Sequence, residues 1–123
     1  MLKGLKVLIV EDEWLLADHL QAIVEHTGAE ALGPVATIEG AMALLDGMPT
    51  PPDAATLNVR LVDGPSFPVA DRLAAAGVPF AFISANRLDD LPERFAKRPL
   101  LAKPFRDADV AALLARLVTP PPA

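Results

Sequence analysis

Four short apolar runs each end in a residue suited to phosphate chemistry. Val7-Leu8-Ile9-Val10 runs into Glu11-Asp12-Glu13, and Ala54-Ala55-Thr56-Leu57 into Asn58. Phe80-Ala81-Phe82-Ile83 ends in Ser84, and Leu100-Leu101-Ala102 in Lys103-Pro104-Phe105. An acid pair, a strand-end acceptor, a hydroxyl and a lysine are the parts of a metal-assisted phosphoryl-transfer pocket. Hard oxygens hold a divalent ion while the hydroxyl and the ammonium grip the transferred group. Here the acceptor position carries an amide, which is a poor nucleophile with no anionic oxygen.

The elements between these runs must bring the four ends together. Uniformly apolar runs suit parallel strands covered on both faces. Leu16, Leu20, Ile23, Val24 and Thr27 follow helical spacing up to Gly28. Ala31–Val35 reads as a weak strand broken near Pro34, and Ile38, Ala41, Met42 and Leu45 as a helix stopped by Gly47 and Pro49. Ser66 is placed to cap a third helix with Pro68 in its first turn, burying Val69, Ala70, Leu73 and Ala76. Gly77 closes it, and Val78–Ile83 is the next strand. Asn86–Pro99 is the least regular stretch. Asp90 with Glu93 forms a candidate capping box for a short helix over Pro92–Lys97. Val110, Leu113, Leu114, Leu117 and Val118 mark a last helix before the proline-rich tail 119–123. Alternating strands and helices predict one α/β domain over residues 1–118, a doubly wound five-stranded parallel sheet with right-handed crossovers. Ligands of such sheets bind beyond the carboxyl ends of the strands, where Glu11, Asp12, Asn58, Ser84 and Lys103 all fall.

Composition removes several function classes. The net charge of −5 argues against a nucleic-acid surface, and the absence of cysteine excludes disulfides and thiol chemistry. No apolar run approaches the roughly 18 residues of a membrane span, and the start of the chain is unlike a secretory signal, so a cytoplasmic protein is expected.

Taken together, Val-Leu-Ile-Val-Glu-Asp-Glu, the strand ending at Asn58, Phe-Ile-Ser-Ala and Leu-Ala-Lys-Pro-Phe resemble the receiver domain of bacterial response regulators, a CheY-like, flavodoxin-like (βα)5 fold, over about residues 5–118. Pro68–Asp71 and Gly77–Phe80 are similar to single-domain members of that family. The resemblance implies Glu11 and Asp12 as the acidic metal pair, with Arg60 lending a backbone carbonyl. It implies Ser84 as the switch hydroxyl and Lys103 as the phosphate-binding lysine, before a proline often found in cis. Asn58 falls at the phospho-acceptor position. Mg²⁺ is the implied cofactor, weakened by Asn58. The implied partner is a histidine kinase, a phosphotransfer protein or another signalling protein, with a homodimer through the last strand and helix as a further family trait. Such a module is not an enzyme.

The chain departs from the family at Asn58, at Leu100 (where a switch aromatic is common), in the short proline-free loop Val59–Gly64, and in the short segment between Ser84 and Lys103, which leaves the fourth helix short or irregular. The leading reading is a stand-alone pseudo-receiver acting by protein–protein contact. The alternatives are a receiver that still phosphorylates itself on another carboxylate such as Asp12 or Asp63, and an engineered replacement of the aspartate. Lys103 should pair with Asp12 or Glu11 instead of residue 58. Glu13 is read as a helix N-terminal acid, His19 and His26 as solvated, Trp14 as partly buried beside the pocket, and Asp63-Gly64-Pro65 as a turn.

Overall fold

The computed structural model describes residues 2–85 and 91–119. In chain order it contains β1 (Lys6–Val10), α1 (Trp14–His26), β2 (Glu30–Val35), α2 (Ile38–Asp46), β3 (Ala54–Asn58), β4 (Arg60–Leu61), β5 (Gly64–Pro65), α3 (Phe67–Ala75), β6 (Phe80–Ser84), a 3₁₀ turn (Glu93–Phe95), β7 (Leu100–Ala102) and α4 (Asp107–Val118). Five strands pair in parallel in the order β2-β1-β3-β6-β7, as expected of a doubly wound flavodoxin-like sheet. The two short strands β4 and β5 form a separate antiparallel hairpin directly after β3.

Strand alternation divides the core in two. Leu8, Val10, Ala55 and Leu57 face α2, α3 and the 3₁₀ turn. Val7, Ile9, Ala54 and Ile83 pack with Leu20, Val24, Val110 and Leu114 of α1 and α4. Both faces of the sheet are covered, which is why its strands are apolar throughout.

Several expectations are corrected locally. Ser66 precedes α3 but does not cap it through its side chain. The next residue but one, Pro68, has no N–H, and the amide of Val69 already donates to the Ser66 carbonyl at 3.0 Å. Ala76 is exposed because α3 ends at Ala75. The β6 ladder begins at Phe80: Pro79 has no donor, and the Val78 amide turns back to Leu73 O at 2.9 Å. Instead of a helix over Pro92–Lys97 there is a three-residue 3₁₀ turn, anchored by Phe95 among Phe67, Phe80 and Phe82 with ring centroids 5.6–6.0 Å from its own. The Asp90 capping box and the tail beyond Thr119 lie outside the described residues. The weak second strand is continuous, with a register irregularity opposite Gly33-Pro34. At Gly33 φ is +86°, and a Cβ would lie 2.7 Å from Val35 N, so only glycine fits. No helix among the described residues is long and apolar enough to cross a membrane.

Candidate functional site

Register sets the site. Val10 lies beside Leu57, so the next residues, Glu11 and Asn58, leave adjacent strands together. Asn58 in turn is paired with Ile83, which puts Ser84 one residue further out on the neighbouring strand. The Lys103 amide donates to Ser84 O at 2.8 Å, tying the end of β7 to the same edge, and the Lys103–Pro104 peptide is cis.

The Asn58 side chain bridges the acid pair. Its Nδ2 donates to Glu11 Oε2 and to Asp12 Oδ1, each at 3.0 Å. Two carboxylates offer only acceptors, which fixes the nitrogen, not the oxygen, of the amide towards them. Lys103 Nζ stands 3.2 Å from Glu11 Oε1, as the sequence reading anticipated, and 3.9 Å from Glu13 Oε2. Glu11 is 2% exposed, and its Oε1 meets the lysine as an ion pair without a well-directed hydrogen bond. Burial pushes the Glu11 carboxyl above the usual glutamate range, against the pull of Lys103 and of the Glu13 amide, which donates to Glu11 Oε2 at 3.2 Å.

Glu11, Asp12, Asn58 and Lys103 are thus joined by direct contacts. Ser84 is buried at the end of β6, and Arg60 is exposed at the start of β4, two residues past Asn58. Glu13 contributes to the site as well as opening α1; its place in an unbroken run of three acids was the available signal. Trp14 is not partly buried: it is 74% exposed, because it is the first residue of α1 and leans back beyond the helix end. His19 is exposed but not merely solvated, since its Nε2 lies 2.7 Å from Asp107 Oδ1 and links α1 to α4. A groove of about 790 Å³ between those two helices holds none of the site residues.

A divalent ion needs several convergent hard oxygens. Here an NH₂ group stands between the two acids, and among the described residues no cluster of three His, Cys, Asp or Glu side chains is arranged for a metal. In this arrangement the residues do not fit Mg²⁺.

Fold and cleft together define a flavodoxin-like α/β domain with a polar site at the carboxyl ends of its strands. No protein-family model matches the chain. It is 40% identical to SdrG from Sphingomonas melonis Fr1, with a TM-score of 0.80, covering 94% of this chain and 97% of that one. It is 30% identical to the response regulator PhyR from Brucella abortus, with a TM-score of 0.76, covering 93% of this chain and 47% of PhyR. Over 119 residues it is 35% identical to the phyllosphere-induced regulator PhyR of Methylorubrum extorquens, matching 90% of this chain and 42% of that protein's length. The chain therefore spans less than half of this curated relative. A receiver domain of the sensor histidine kinase PA1611 from Pseudomonas aeruginosa, 24% identical and similar in fold at a TM-score of 0.77, holds a magnesium ion in its active-site cleft. The chain belongs to the response-regulator receiver-domain family of two-component signalling.

Proposed function

We propose that this chain is a pseudo-receiver, a non-enzymatic signalling module that acts by protein–protein contact and does not accept phosphate. The observation that carries this reading is the Asn58 amide, whose nitrogen is bonded to both Glu11 and Asp12 at 3.0 Å. A phospho-acceptor must present a nucleophilic oxygen, and this one presents donors to its own neighbours. Glu11, Asp12 and the Arg60 carbonyl are then vestigial metal positions, and Mg²⁺ binding there is weakened because the Asn58 amide must first turn away from the two acids. Ser84 and Lys103 are the vestigial phosphate grips, with the lysine turned to Glu11. The chain acts in the cytoplasm, and its partner is a histidine kinase, phosphotransfer protein or other signalling protein, engaged by occupancy; self-association through β7 and α4 is part of the same reading.

The test is incubation with acetyl phosphate and Mg²⁺ followed by intact mass, on this chain and on Asn58→Asp side by side. No added phosphoryl group on the chain and one on the aspartate form are expected. A phosphoryl group gained by the unaltered chain would overturn the proposal and point to another carboxylate.

A further inference from the structure

The first three amides of α2 are all satisfied, but mostly not by their own segment. Thr37 Oγ1 accepts from Gly40 N at 2.9 Å. The other two are taken by a residue 25 positions away: Asp63 Oδ1 accepts from Ile38 N at 2.9 Å and Oδ2 from Glu39 N at 3.2 Å. Asp63 sits at the tip of the β4–β5 hairpin, which starts two residues after Asn58. The base of the hairpin is firm: Ser66 N donates to Val59 O at 2.9 Å, and Val59 and Leu61 are buried. At the tip, Val62 is 79% exposed, and the Asp63 carboxylate makes the polar attachment to α2, beside the packing of Ile38 against the core cluster that holds Val59 and Leu61.

We propose that this hairpin is a coupling arm, which passes the hydrogen-bonding state of residue 58 to the N-terminus of α2 through the Asp63 carboxylate. At one end of the arm, Asn58 is held by two bonds to the acids that follow β1. At the other end, two bonds hold the N-terminus of α2. Between them lie the buried Val59 and a two-stranded ladder, which transmit a displacement instead of absorbing it. The arm has two distinct arrangements, docked with two helix amides capped and released with both open, so anything that repositions residue 58 biases their balance. The segment before β7, on the same sheet face as α2, is poorly placed to respond in the same way. Its 3₁₀ turn is pinned by Phe95 in the ring cluster and by the paired bonds of Arg94 to Asp71, at 2.7 and 3.0 Å. The proposal does not depend on whether the cleft accepts phosphate.

Amide proton–nitrogen NMR spectra of four proteins test it: the chain, Asn58→Asp, Asp63→Ala and the double variant. A carboxylate at 58 cannot donate to Glu11 and Asp12, so it must shift. The expected result is displaced Ile38, Glu39 and Gly40 signals on Asn58→Asp, with that displacement lost in the Asp63→Ala background while signals within the hairpin still move. If the α2 signals stay in place, or move as far without Asp63, the coupling arm is refuted. Should Asp63→Ala fail to fold, Asp63→Asn retains one acceptor for the two amides and loses the other. Only one of Ile38 and Glu39 should then respond to Asn58→Asp, and an undiminished response at both would likewise refute it.

Discussion

Lys103 directs its ammonium at Glu11, 3.2 Å away, and with the Asn58 amide supplies the hydrogen-bond donors and the positive charge that the buried acid needs. Removing the lysine head group leaves a buried carboxylate uncompensated, since Glu13 is itself an acid. Lys103→Met should therefore destabilise the fold by about 3–5 kcal/mol at neutral pH. Urea denaturation read by circular dichroism checks this, and a loss under about 1 kcal/mol would show that the pair is mostly solvated.

Asn58→Asp should lower metal-free stability and raise Mg²⁺ affinity together. It replaces two charge-assisted hydrogen bonds with repulsion among three carboxylates, a loss of about 1.5–3 kcal/mol for each bond by their usual worth. Mg²⁺ then relieves the repulsion and restores stability by mass action. Denaturation in chelator and in Mg²⁺, with calorimetric titration of each protein, reads both effects. Equal or tighter Mg²⁺ binding by the amide form contradicts the account of the site.

The raised Glu11 carboxyl gives a signed pH dependence. The folded state holds this proton at pH values where an unfolded glutamate, at about 4.3, has lost it. The folded state therefore binds more protons than the unfolded chain in that window, and stability falls as pH rises from about 4.3 through the folded-state value. Below that window the contribution is fully present. Glu11→Gln should remove this component, so the stability difference between the two proteins should move in favour of the glutamine form as pH rises through it. A difference that is flat or runs the other way would place Glu11 in a solvated setting.

Phe95 is the buried aromatic anchor of the 3₁₀ turn before β7, 2% exposed and in contact with three other rings. Phe95→Ala should cost about 3–5 kcal/mol. A chemical denaturation midpoint left unchanged would mean that the rings close over the gap.

Thr56 carries a buried hydroxyl in the middle of β3 with no hydrogen-bond partner among the described residues. Valine has nearly the same shape and no polar atom to desolvate. Thr56→Val should raise stability by about 1 kcal/mol, at the low end of the cost of a buried unsatisfied group. A destabilised Thr56→Val variant would reveal a partner for the hydroxyl.

Much of this was legible in the residues themselves. Apolar runs closed by polar residues located the strands, and helical spacing located the first and last helices, because both patterns follow from burial on a covered sheet. Adjacent strand ends then implied that Glu11, Asp12, Asn58 and Lys103 converge, and direct contacts in the structure join them. Short-range rules failed where another bond had claimed the same atom or a residue had a second, distant partner. Ser66 looked like a cap, but the Val69 amide was already taken. Asp63 looked like a turn residue, and its second role depends on a helix 25 positions earlier that no local pattern indicates. Trp14 was misplaced because a large aromatic favours burial on average, while the first residue of a helix has little above it to pack against.

The ring cluster around Phe95 has a consequence for how such a chain can vary. Where one aromatic plug carries the packing, the described part of the connection has only Leu91 besides it against that core, and no extended apolar stripe to preserve. Residues on either side of the plug can be gained or lost in number while the seal stays intact. Length variation between β6 and β7 should accordingly be tolerated far more readily than any change of the plug itself.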